Sequence, residues 1–404
     1  MESLNVFIEI EGRYVKAGNL ASTGHEIIFE YDDEYSFKGI SLSMPSGKKL
    51  YEYSEAHVFF ENLLPEARQR EIIARAGRLS SANVYGLLKK YGGECAGAIV
   101  ITEDDNLSEI GSSYEQLDEM EFEELVENLY HSSPAVKHKG YRLSLAGAQA
   151  KTSVKMDGNR VFLPLGTSPG THIVKAFSPD FEGLPVNEAL CAQLAKACGL
   201  PVCKTEVRKI GKTSALFIER YDRYENDDRI FRLHQEDFCQ ALGYSYALKY
   251  ESEGGPDFAR CVELVTAVSS RPAEDKLLLI RWFIFNFLTG NADAHAKNIS
   301  LIYPQGMNGR PHLAPFYDLV CTGIYENLSK EQAMSVGGEF VPEKVTKEHW
   351  RKFAKDLGVN FRLIQTTFRD ITEKTDFGKI ADSDIKNRIR KIYDSRKKWL
   401  TTIL

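Results

Sequence analysis

Cysteine is sparse and scattered. The seven in this 404-residue chain lie at positions 95, 191, 198, 203, 239, 261 and 321, and no two form a C-x-x-C pair. An odd count without paired spacing argues against a disulfide framework and points to reduced, buried thiols in a cytoplasmic protein. The nine histidines lack zinc-like spacing, so no structural metal site is expected. A long apolar run is missing too. The longest, LLLIRWFIFNFL at 277–288, is short and interrupted by Arg281 and Asn286, so no membrane span is expected. The opening MESLNVFIEIEGRY has no basic cap ahead of an apolar core, and no signal peptide is expected. Nor is there an excess of positive charge. A formal net charge of -6 argues against coating nucleic acid with the whole surface and leaves room only for a local basic face.

What is present is ordinary for a folded protein: 43% hydrophobic and 27% charged residues. The length exceeds one core and implies two or three domains. Residues 1 to about 50 read as short strands, with Leu4, Val6, Ile8 and Ile10 alternating with polar neighbours. EAHVFFENLLPEARQREIIARAG and SANVYGLLKKYGG read as helices, GAIVIT as a strand, and SYEQLDEMEFEELVENLY as an acidic helix. HSSPAVKHKG (131–140) breaks every pattern and marks the first boundary. Beyond it, KTSVKM and RVFLPL flank Asp157-Gly158-Asn159, a hairpin turn signal. THIVKAF is a strand, NEALCAQLAKACGL a helix stopped by Gly199, and PVCKTEVRKI and SALFIERYD are strands joined at Gly211-Lys212. From HQEDFCQALG onward the chain reads as mainly helical, with a strand pair in ISLIY and HLAPFYDL and three helices at the end. The expected domains are 1–130, a strand-rich 140–232 and a helical 233–404, an α+β chain with two lobes behind an extra N-terminal domain.

One stretch crowds polar chemistry: TGNADAHAKNISLIY, 289–303, follows the most apolar helix and brings Asp293, His295, Lys297 and Asn298 within six positions. Protein kinases set a catalytic-loop aspartate and a metal-binding asparagine at this separation, so that one short loop directs both into one site. Here the histidine follows the aspartate, and the match is to roles, not to the literal motif. A polar loop with a capping residue is the alternative. Asp318, ending LAPFYD after Tyr317, would supply the second oxygen ligand to magnesium, or it opens a turn. Lys175 in THIVKAF would reach the nucleotide phosphates, steadied by Glu188, or it faces solvent from an edge strand. SLAGAQAKTSVK (144–155), with Ala146, Gly147 and Lys151, would cover the phosphates, although it is neither G-x-G-x-x-G nor a Walker sequence.

Taken in order, LSLAGAQAKTSVK, THIVKAF, NEALCAQLAKACGLPV, ALFIERYDR, LHQEDFCQALG, NADAHAKNIS and APFYDLV resemble the HipA family, the serine/threonine kinase toxins of bacterial toxin–antitoxin pairs. The resemblance runs from about residue 140 to 325 and more loosely beyond. It implies a bilobal protein-kinase-like fold that binds ATP and Mg2+, with Asp293 catalytic and Asn298 and Asp318 as metal ligands. It implies that Lys175 holds the ATP phosphates, that Glu219, Arg220 and Tyr221 form the hinge beside the adenine, and that Gln235 lies near the sugar. Ser144 matches the serine that such kinases autophosphorylate, a change that expels the loop and silences the enzyme; a dianion beside a phosphate-binding loop repels nucleotide. The family commonly has a glutamate where this chain has Ala150.

The resemblance also implies a protein substrate in translation, notably an aminoacyl-tRNA synthetase, and a small helix-turn-helix antitoxin that represses their operon. The most basic segment, DIKNRIRKIYDSRKKWL (384–400), places Ile385, Ile389 and Ile392 on one helical face. Its cations are either the solvated face of a packed helix or a contact to operator DNA. Two rival readings remain: a small-molecule phosphotransferase on a kinase-like fold, whose site also uses an Asp and Asn five apart, and a non-enzymatic corepressor, against which the full set of phosphate-handling residue types argues.

Overall fold

The computed structural model describes residues 2–23, 26–107, 112–131, 145–147, 149–177, 181–227, 229–381 and 383–404. Ser144 and most of the 131–140 break lie outside the described residues. The chain is α+β and divides into two compact units. One comprises residues 1–179, 206–247 and 301–311, the other 180–205, 248–300 and 312–404. Both expected domains 1–130 and 140–232 contribute residues to the first unit.

The first unit holds the two largest sheets, whose described pairings are antiparallel. In the five-stranded sheet the order is Leu50–Tyr51, Ile27–Tyr31, Arg13–Ser22, Ser3–Ile10, Ile99–Thr102. The alternation in the first strand predicts one wet face, yet everything from Leu4 to Ile10 is buried. Its polar positions are paired inside: Asn5 donates to Asp105 Oδ1 at 3.0 Å, and Glu9 lies 3.3 Å from Arg232. The six-stranded sheet runs Thr205–Ile210, Thr213–Glu219, His172–Ala176, Lys151–Asp157, Arg160–Leu165, Ser113–Leu117. The Lys151–Asp157 and Arg160–Leu165 strands meet at the expected turn, where Gly158 takes φ +59°. SYEQL is a strand, not the start of the acidic helix. Asp118 ends it and caps the helix Glu119–Tyr130 through a capping box with Glu121. That helix lays Phe122, Leu125, Val126 and Leu129 on one face of the sheet, against Val154, Val174, Ala215 and Phe217. Side chains alternate along strands, so Lys151 and Lys175, which are cross-strand partners, belong to the opposite face.

One more expectation is corrected here, and one segment left without a reading is found to be a hairpin. HQED is a strand, His234–Asp237, before the short helix Phe238–Leu242 that Asp237 caps, because the residues ahead of the cap run extended. The segment RYENDDRIFR, which carries little apolar alternation, forms a hairpin of Arg223–Asn226 and Arg229–Arg232.

In the second unit the helix Pro272–Thr289 is buried on nearly every side from Leu279 onward, Arg281 apart. Phe283 packs on Phe258 at 4.5 Å and on Phe353 at 4.6 Å, and Phe287 meets Trp350 edge-on at 5.4 Å. These partners lie on the helices Phe258–Val268 and Lys347–Asp356. The helices Phe361–Lys374 and Asp384–Ile403 complete the closing set of three. HLAPFYDL is a strand only at His312–Leu313. Pro315 interrupts it, and Phe316 then bridges to Val202. On the last helix Ile385 and Ile389 are buried as expected, while Ile392 abuts the Cα positions of Gly290 and Gly323. Two of its arginines turn inward: Arg396 donates to the Phe287 carbonyl at 2.5 Å and Arg388 to the Ile324 carbonyl at 2.7 Å.

Candidate active site

The polar loop at 289–303 grows directly out of the buried helix, and the two residues that interrupt its apolar run act differently. Arg281 reaches Asp370 at 2.5 Å. Asn286 stays in the core: its amide donates to the Trp282 carbonyl at 2.9 Å, and its oxygen accepts the Asn291 amide at 2.8 Å. Gly290 ends the helix in the left-handed region at φ +77°, the usual conformation of a helix-stopping glycine. Asn291 then accepts the Asp293 N–H at 3.0 Å, and Thr322 accepts the Ala292 N–H at 2.7 Å. A buried asparagine pair therefore fixes where the loop begins.

Within the loop Asp293 is the outward residue. Its side chain is 51% exposed, while His295, Lys297 and Asn298 are buried. Asn298 donates its amide to the Asp293 carbonyl at 2.8 Å, across a single turn of 3-10 helix at Ala296–Asn298. The amide nitrogen is thus spent inside the loop, and the oxygen is the atom left to ligate. Tyr250 donates its hydroxyl to Asp293 Oδ1, and His295 Nε2 lies 3.6 Å from the same oxygen. Tyr317 donates to the Lys297 carbonyl at 2.9 Å and shares a 2.7 Å hydrogen bond with Ser300, joining the APFYD segment to the loop. The next residue, Asp318, has φ +52°. A non-glycine residue there costs about 1 to 2 kcal/mol, which Asn and Asp bear best. Asn298 and Asp318 offer the oxygen donors a hard divalent cation takes, and magnesium held with nucleotide phosphates needs only one or two carboxylates from the protein. The donor chemistry fits. Glu188 is buried on the helix Leu184–Ala197 of the same unit.

In the first unit Lys175 is buried in mid-sheet, not on an edge strand, with Lys151 as its cross-strand partner. Lys151 donates to the Ala146 carbonyl at 2.7 Å and stands so close to Gly147 that a Cβ there would lie 2.7 Å from its nitrogen. The Gly147 carbonyl accepts the Glu66 N–H at 3.1 Å, tying the small-residue loop to the NLLPE turn. Ala150 packs against the sheet's apolar cluster. Lys151 and Lys175 thus stand side by side on one face of the sheet.

Tyr221 and Gln235 come together, the tyrosine hydroxyl donating to the amide oxygen. Glu219 is exposed at its strand end. Arg220 turns its side chain into a buried network of ions. It donates to Glu94 at 2.7 Å and to both oxygens of Asp222 at 2.9 and 2.8 Å. Arg223 reaches Glu94 at 3.1 Å and Asp222 at 2.9 Å, while Arg232 reaches Glu94 at 2.9 Å and Glu9 at 3.3 Å. Three guanidiniums thus face three carboxylates. Burial pushes the Glu94 carboxyl up, and Arg223, Arg220 and Arg232 more than reverse it, leaving it below the usual range. Asp222 is held lower in the same way by Arg220 and Arg223. Arg220 and Asp222 turning inward leave Tyr221, between them, for Gln235. Gly97 seats this strand: any Cβ there would lie 2.9 Å from both the N and O of Gln235.

Sequence reasoning missed Tyr250, Asn291, Thr322 and the Glu94 network. Asn291 sits inside the quoted motif, and its place after a helix-stopping glycine was a usable signal. Tyr250 precedes Asp293 by 43 positions in an unpatterned loop, and nothing local pointed to it.

A family model described as the HipA-like C-terminal domain matches residues 143–378, and one for the HipA N-terminal domain matches 8–102. The putative kinase Y4mE of Sinorhizobium fredii is 40% identical over 351 residues, covering 85% of this chain and 82% of its own. The serine/threonine-protein kinase toxin HipA of Shewanella oneidensis is 31% identical over 338 residues, covering 80% and 76%. A solved structure of the Shewanella oneidensis toxin–antitoxin system, HipA with HipB and operator DNA, matches with a TM-score of 0.81 at 25% identity over 99% of this chain and 97% of that one.

Proposed function

The chain belongs to the HipA family of toxin kinases, and from that membership we propose that it is the toxin of a bacterial toxin–antitoxin pair, a magnesium- and ATP-dependent serine/threonine kinase. Its substrate is a translation protein, in the family's pattern an aminoacyl-tRNA synthetase, and phosphorylation arrests growth. The observation that carries the reading is the Asp293 loop: one half-exposed carboxylate on an otherwise buried turn, with Asn298 fastened to its own carbonyl.

Asp293 accepts the hydrogen bond of the incoming hydroxyl and orients its oxygen toward the γ-phosphorus; the new P–O bond forms as the bond to ADP breaks, and the hydroxyl proton passes to the carboxylate. Asn298 and Asp318 would hold magnesium, whose charge offsets that of the triphosphate. Lys175 and Lys151 would bind phosphate oxygens. Tyr221 and Gln235 would line the nucleoside, and Glu219 and Arg220 would contribute backbone atoms to the hinge.

Autophosphorylation of Ser144, three positions before Gly147 in the sequence, would turn the enzyme off, because a dianion added to a phosphate-binding segment repels nucleotide. A helix-turn-helix antitoxin would neutralise the kinase and carry it to operator DNA, as HipB accompanies HipA in the Shewanella complex. The setting is cytoplasmic, where translation proteins and operators are found. Phosphoproteomics of cells expressing wild type or Asp293→Asn tests the whole. The expectation is growth arrest and new phosphosites with the wild type alone; equal arrest and phosphorylation by the variant refutes it.

A further inference from the structure

Tyr250 is held on the proposed catalytic carboxylate by construction. Its hydroxyl donates to Asp293 Oδ1, and its ring stands edge-on to His295 with centroids 5.1 Å apart. The backbone behind it is fixed. Its carbonyl accepts the Glu253 and Gly255 N–H groups at 3.1 and 2.9 Å. Gly255 is so tightly seated that a Cβ would fall 2.1 Å from the Leu248 carbonyl oxygen and 2.7 Å from that of Tyr250. The following residue anchors the loop a second time: Glu251 N–H donates to the Ala333 carbonyl at 3.1 Å, and its carboxylate accepts Ser335 N–H and Oγ at 2.6 and 2.7 Å.

An aspartate half open to water has several rotamers to choose from, and each one off line for the acceptor hydroxyl lowers the reactive fraction. A phenol on a doubly anchored loop removes that freedom at one oxygen. A carboxylate offers about four lone-pair directions, and the hydrogen bond from Tyr250 takes one of them. We propose that Tyr250 is a positioning residue for phosphoryl transfer, fixing the Asp293 carboxylate in the orientation that receives the acceptor hydroxyl. This rests on the assignment of Asp293 above.

The test measures ADP release from magnesium-ATP by the full chain, as wild type, Tyr250→Phe, Tyr250→Ala and Asp293→Asn, together with the affinity for a fluorescent ATP analogue and the thermal midpoint. Phenylalanine keeps the ring against His295 and loses only the hydroxyl. Its kcat is expected to fall about tenfold, as far as that of the alanine variant. Nucleotide affinity and thermal midpoint of Tyr250→Phe should stay at the wild-type values. Wild-type turnover in Tyr250→Phe overturns the proposal, whether or not alanine is impaired. So does a phenylalanine variant whose midpoint falls with its turnover, since the hydroxyl then serves the fold. Full turnover by Asp293→Asn, or none by the wild type, instead sinks the assignment of Asp293.

Discussion

Replacing Glu94 with glutamine takes one negative charge out of a buried set of three acids and three arginines. Glu94 accepts from Arg220 at 2.7 Å, Arg232 at 2.9 Å, Arg223 at 3.1 Å and the Gly170 N–H at 3.1 Å. An amide can keep part of this with its oxygen, but its NH2 must face a guanidinium that has nothing to accept with. Two carboxylates, Asp222 and Glu9, would then face three buried cations. Breaking a buried pair in this way costs about 3 to 5 kcal/mol, most of it from the charge left uncompensated. With a urea slope of about 3 kcal/mol per molar for a unit of this size, the unfolding midpoint should drop by about 1.3 M. Far-UV circular dichroism is the assay to use. The three tryptophans, at 282, 350 and 399, all belong to the other unit and are not direct probes of the network. A midpoint within about 0.2 M of wild type, under roughly 0.6 kcal/mol, would mean that water or rearrangement compensates the arginines and that the network is not the closed set described.

Two further outcomes follow from the site and its surroundings. Glu236 is buried, and burial lifts its carboxyl to about 7 against the lowering hydrogen bonds of Ser41, Tyr303 and the Leu42 N–H. Between the unfolded value near 4.5 and that pH the folded chain keeps a proton that the unfolded chain has released, so stability falls as pH rises through this window, by about 3 kcal/mol. Glu236→Gln should flatten that slope in urea titrations from pH 5 to 8 (roughly the same window); an unchanged slope contradicts the assignment. At Asp318, asparagine and alanine should each lower phosphoryl transfer by about a hundredfold or more. Only alanine should also cost about 1 kcal/mol of stability, because φ is +52° there; equal thermal midpoints would show that the backbone relaxes.

The turn at Gly158, the stop at Gly199 and the apolar helix before the polar loop could be read because each is a local signal: a left-handed glycine or a sustained hydrophobic pattern. The motif residues were legible for a similar reason, since Asp293 and Asn298 occupy one short loop. What the sequence hid is nonlocal. Glu9 looks like the wet position of an alternating strand until Arg232 is brought to it from 223 positions away. Arg220 reads as a hinge residue, and only the approach of Glu94 and Asp222 shows its side chain turned into the core. The strand SYEQL was absorbed into the helix that follows it, because acidic residues continue across the junction and only Asp118, the cap, marks the change.

The ion network reaches across the two segments that the family models treat as separate modules, with Glu9 and Glu94 in one and the three arginines in the other. A fragment begun after residue 130 would retain Arg220, Arg223 and Arg232 with Asp222 as their sole remaining acid. Expressed alone, the catalytic segment should therefore be insoluble or unfolded, and a chimera between relatives would have to exchange both halves of the ionic lock together.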